Sequence, residues 1–82
     1  MSDEEYQPIS CSAYDIYEIA IMRRQPLQLS WWDGPTRRSA RVTPVDLQIR
    51  DGAEYLLVRQ QAQEAILAIR LDRIVSSALG GV

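Results

Sequence analysis

Residues 60–78 read Gln-Gln-Ala-Gln-Glu-Ala-Ile-Leu-Ala-Ile-Arg-Leu-Asp-Arg-Ile-Val-Ser-Ser-Ala, and the fold turns on whether they form helix or strand. Alanine, glutamine, glutamate and leucine favour helix, and Leu67, Leu71, Ile74, Val75 and Ala78 fall at helical spacing. The strand alternative makes 60–63 a hairpin loop, 64–70 an isoleucine-rich strand and 72–75 a short closing strand. Propensity and periodicity leave the two evenly matched.

Upstream the signals are sharper. Leu27, Leu29 and Trp31 alternate with Gln28 and Ser30, the period of a half-buried strand, which puts Trp31 in the core and Trp32 on the outer face. Trp32 there is either an interface anchor or the cover of a barrel end. Asp33-Gly34-Pro35 is a turn, and a second strand over 36–43 points Ala40 and Val42 inward with Arg37, Ser39 and Arg41 outward. Pro44 marks an edge or a bend, after which Val45, Leu47 and Ile49 resume the alternation. Asp51-Gly52 is the strongest hairpin signal, and Tyr55-Leu56-Leu57-Val58 suits a central strand.

Toward the N-terminus, Ser12-Ala13-Tyr14-Asp15 has the form of a capping box, predicting a helix over 12–24 that stops before Pro26. Ile16, Ile19 and Ala20 are its expected core face. Residues 1–9 read as an extended lead-in, 26–75 as the strands and 76–82 as a frayed tail, all within one domain spanning 1–82.

With 82 residues and no histidine, the chain has little interior for a substrate pocket and no material for a histidine-based triad or a Cys/His zinc cluster. One cysteine excludes an internal disulfide, and Cys11 reads as a small apolar staple beside the helix start. No catalytic residue, metal or cofactor is expected. No run reaches the ~18 apolar residues of a membrane span, and neither a secretory leader nor a membrane partner is expected, which points to the cytoplasm.

Charge is unevenly placed. Residues 1–22 carry five acids and no base, while the other sixty carry nine arginines and six acids, and lysine is absent. The pI near 4.9 disfavours direct nucleic-acid binding. Asp15 and Glu18 lie at i and i+3 on one helix flank, interleaved with Tyr14 and Tyr17, and Asp3, Glu4 and Glu5 precede them. Such an acidic end either suits a basic partner surface or is a solvated tail with acids complementing the helix dipole.

Several segments, in order, resemble the small bacterial Rho-binding antiterminators called Rof. They are Tyr6-Gln7-Pro8-Ile9-Ser10-Cys11, Tyr14-Asp15, Glu18, Asp46-Leu47, Glu54-Tyr55-Leu56 and Arg70-Leu71-Asp72-Arg73-Ile74. The resemblance spans almost the whole chain. It implies a mainly β fold, an N-terminal α-helix followed by a small, strongly bent Sm-like β-barrel, and so strands over 60–78. For function it implies binding to transcription termination factor Rho at its RNA-binding domain, which suppresses Rho-dependent termination and makes the protein an inhibitor rather than an enzyme. Asp15, Glu18, Tyr14, Tyr17, Asp3, Glu4 and Glu5 are then the expected Rho contacts, on a protein that is monomeric when free. Family members often have acids just after the cysteine, where this chain has Ser12 and Ala13.

Two other classes compete. An Sm-like RNA-binding module would track phosphates with Arg37, Arg38 and Arg41 and stack a base on Trp32. An enzyme would use Asp15 and Glu18 as a carboxylate pair, on a helix flank with no evident pocket. Asp72 reads as a turn or ion-pair residue.

Overall fold

Residues 64–78 contain no α-helix in the structure, a computed structural model that describes residues 11–60 and 64–79. The helix α1 (Cys11–Arg23) is followed by β1 (Leu27–Asp33), β2 (Thr36–Arg50), β3 (Ala53–Gln60), β4 (Ile66–Arg70) and β5 (Ile74–Leu79). A single 3-10 turn, Leu71–Arg73, joins the last two strands. Ladder pairing of β4 with β3, from Tyr55↔Arg70 to Arg59↔Ile66, overrides the helix propensity of this stretch.

Two boundaries differ from expectation. Asp72 belongs to the 3-10 turn and not to a closing strand, and residues 76–79, read as frayed tail, continue β5. They are held by pairing with β1, from Ser30↔Ser76 to Leu27↔Leu79.

All pairings are antiparallel, in the order β4-β3-β2-β1-β5. Strands β4 and β5 are therefore opposite edges, yet only the 3-10 turn separates them, about 6 Å of chain at its usual rise. The sheet must roll to bring the end of one edge to the start of the other. Among the described residues no ladder joins the edges, so the expected barrel is a rolled sheet with an open seam.

Leu27, Leu29, Trp31, Val42, Leu56, Val58, Ile69 and Leu71 fill the inside of the roll. The alternation in β1 holds, with Trp31 buried and Trp32 45% exposed. Pro44 sits where β2 has only β3 beside it, because the β1 ladder ends at Leu27↔Val42. Val45 is then an extra residue, since Pro44 pairs Val58 and Asp46 pairs Leu57. Asp51 and Gly52 both have positive φ, 49° and 80°, as a tight primed hairpin turn requires.

Cys11 is already helical, so Ser12 lies within α1 rather than flanking it as a cap. Its end is a Schellman motif, with Gln25 N–H donating to Ala20 O at 2.9 Å and Arg24 N–H to Ile21 O at 3.2 Å. Arg24 takes the left-handed position at φ 52°, and Pro26 follows. The core face also differs from expectation. Ala20 is buried, but Ile16 and Ile19 are 38% and 41% exposed, and Tyr17 takes the interior place at 3%. Tyr14 and Ile21 pack beside it. Positions 14, 17, 20 and 21 and positions 16, 19 and 20 both satisfy helical spacing, and the roll accepts the stripe whose large ring fills it.

Candidate functional site

Turning Tyr17 inward fixes what the helix shows to solvent. Asp15, Glu18, Ile19 and Met22 fall at i, i+3, i+4 and i+7, one stripe, and all four are exposed, Met22 at 77%. The stripe is acidic in its first half and apolar in its second. Beside it, Tyr14, Glu18, Ile21 and Met22 form one wall of a shallow groove whose other wall is Asp46 and Leu47 of β2.

Tyr14 stands between charges. Its phenol is held above the ordinary range, first by desolvation and then by the carboxylates of Glu54 and Glu18. The rolled sheet thus adds Asp46 and Glu54 to the helix acids around one tyrosine. Asp46 also accepts a hydrogen bond from Leu47 N–H at 2.9 Å, a local turn-like contact that holds the carboxylate at the bulge. Among the described residues no group of three or more acids or thiols is close enough to hold a metal ion. The acids surround the groove without converging on a point.

Of the expected contacts, Asp15, Glu18 and Tyr14 lie on or beside this stripe. Tyr17 does not, because its ring is in the core. Burial pushes its phenol up, and a hydrogen bond with the Ser77 side chain pulls it partly back. Asp3, Glu4 and Glu5 lie outside the described residues. Asp46 and Glu54 were not expected at the site, although each belongs to a segment that carried the family resemblance.

The arginines of β2 do not form one patch. Arg37 and Arg41 pair with Trp32 and Gln28 and share their outer face, whereas Arg38 pairs with inward-facing Trp31. Arg38 is also committed to Asp33, Nε to Oδ2 at 2.8 Å. No helix among the described residues is long and apolar enough to cross a membrane.

Fold and site together define a small domain with a rolled antiparallel sheet and one helix whose outer face is acidic and apolar. Residues 8–79 match the family described as modulator of Rho-dependent transcription termination (ROF). The chain is 35% identical over 74 residues to Protein rof of Escherichia coli (strain K12), covering 90% of this chain and 82% of that one. Protein rof of Shigella flexneri is similar to the same extent. Among solved structures, proteasome accessory factor B/C of Arthrobacter aurescens superposes with a TM-score of 0.77 at 21% identity, over 93% of this chain and 13% of that much longer one. That likeness concerns the fold alone. The chain belongs to the ROF family of modulators of Rho-dependent transcription termination.

Proposed function

We propose that this protein binds Rho at its RNA-binding domain and lowers Rho-dependent termination by occupying the surface that RNA needs. A surface that binds phosphates is basic, and carboxylates on a competitor present the same sign of charge to it. The observation that carries this reading is the exposed stripe Asp15, Glu18, Ile19 and Met22, with Asp46 and Glu54 beside it.

The two halves of the stripe have different work. Exposed ion pairs contribute at most about 1 kcal/mol each, so Asp15 and Glu18 steer and register the complex. Ile19 and Met22, with Tyr14 beside them, supply apolar area whose burial holds it.

The test is competition. Titrating the protein into a complex of Rho and a labelled cytidine-rich RNA should release the RNA, and the protein should bind Rho with no RNA present. RNA retained on Rho at saturating, folded protein would overturn the blocking mechanism.

A further inference from the structure

The open seam contains a cleft of about 290 Å³ at the end of the roll formed by the β1–β2 turn. One wall is residues 67–70 and the facing wall is residues 31–34. Side chains alternate along a strand, so four consecutive residues in one wall mean that the strand's edge lines it. Such an edge presents unpaired backbone N–H and C=O groups. Among the described residues β4 pairs only with β3, and β1 loses its β5 neighbour beyond Trp31↔Ile74, which leaves Trp32 and Asp33 open on that side.

The charges in the cleft do not cancel. Arg70 is paired with Asp72, and Asp33 with Arg38. Arg73, from the 3-10 turn, also lines the cleft and has no hydrogen bond or ion pair among the described residues. Trp32 adds an indole that is 45% exposed. One uncompensated cation, one accessible aromatic ring and two rows of backbone donors and acceptors therefore meet in a single space.

We propose that this cleft binds one nucleotide, with its base on Trp32, its base edge on the open backbone of β4 and its phosphate on Arg73. Aromatic stacking tolerates any base, backbone groups read its polar edge, and a guanidinium suits phosphate. Size separates this ligand from an inserted peptide strand. The open stretch of β1 is too short for a ladder, and the volume lies at the foot of the small-ligand range of about 300–1,000 Å³. The same chemistry is offered by a free nucleoside monophosphate and by one nucleotide of an RNA.

The chain has two tryptophans and both line the cleft, so intrinsic fluorescence reads it directly. CMP, UMP, AMP, GMP, inorganic phosphate and a short single-stranded RNA would each be titrated into the full chain without Rho. At least one monophosphate or the RNA should give a saturable change, about tenfold weaker in Arg73→Gln, the cost of one charge-assisted contact. Trp32→Leu, followed by amide NMR shifts of residues 67–70, should weaken the same ligand. Tighter binding of the monophosphate makes the free nucleotide the ligand, and tighter binding of the RNA makes it a nucleotide within a strand. The proposal is overturned by no saturable response, by an equal response to inorganic phosphate, or by binding unchanged in Arg73→Gln. None of these outcomes depends on Rho.

Discussion

Arg70 and Asp72 are paired across the end of β4, with Nη2 donating to Oδ2 at 3.1 Å and Nε 2.9 Å from Oδ1 in an ion pair that lacks hydrogen-bond geometry. Their side chains are only 12% and 9% exposed, so the pair is held at the point where the sheet rolls over. Removing Asp72 takes a charge-assisted hydrogen bond from a largely buried guanidinium, at about 1.5–3 kcal/mol. Asp72→Ala should therefore lower the melting temperature by about ten degrees, at roughly 4–8 °C per kcal/mol for a domain of this size. Thermal unfolding followed by circular dichroism checks it, and a change within a few degrees would show that the pair is incidental.

Reversing Asp15 and Glu18 together to arginine should weaken Rho binding at least tenfold with an unchanged melting temperature, since both are exposed. Asp46→Lys should act in the same direction although it lies far away in sequence. Normal affinity in either variant would remove that residue from the interface.

Salt and truncation should separate the two halves of the helix stripe. Raising ionic strength should slow association more than it speeds dissociation. Met22→Ala should instead speed dissociation, because it removes apolar contact and no charge. Stopped-flow or surface-based kinetics against Rho measures both.

High pH should unfold the protein through its tyrosines. Tyr14 and Tyr17 are both raised above the ordinary value of 10.0, Tyr14 chiefly by desolvation and then by nearby acids, and Tyr17 chiefly by desolvation. Above pH 10 the unfolded chain gives up these protons first, so it binds fewer protons and stability falls as pH rises toward the folded values. Below pH 10 this contribution is fully present. There is no lysine to titrate alongside the four tyrosines, so circular dichroism followed with phenolate absorbance in the parent and in Tyr14→Phe and Tyr17→Phe assigns the effect. Flat stability through the tyrosine range would contradict it.

Arg24 occupies the left-handed position of the Schellman motif, where glycine carries no steric cost. Arg24→Gly should raise stability by about 0.5–1 kcal/mol, less any loss from a more flexible unfolded chain. Urea denaturation reads this as a higher midpoint at unchanged slope.

The local features were open to reading. Alternation placed Leu27, Leu29 and Trp31 inside, and Asp51-Gly52 and Pro26 marked their boundaries, because each depends on neighbours along the chain. The helix face was not, since two overlapping apolar stripes share Ala20 and only the shape of the roll prefers the one containing Tyr17. Ser76 and Ser77 carry no strand signal of their own, and β1 imposes one by pairing. Asp46 and Glu54 join the site through tertiary packing, so the only trace of them in the sequence was their place in segments resembling a known family.

Val45, the extra residue in β2, sets the phase of everything beyond it. Because of that single insertion Leu47 and Ile49 share the side of Leu56 and Glu54, and Gln48 and Arg50 share the side of Tyr55. Pairing β2 straight through Val45, with no residue left out of the ladder, would exchange the two sets, turning Gln48 and Arg50 toward the helix and moving a positive charge to its acidic flank. The sign of the docking surface thus depends on the parity of one strand, so closing the bulge with Val45 retained would change the partner chemistry more than most substitutions in the groove itself, whereas removing Val45 would leave both faces as they are.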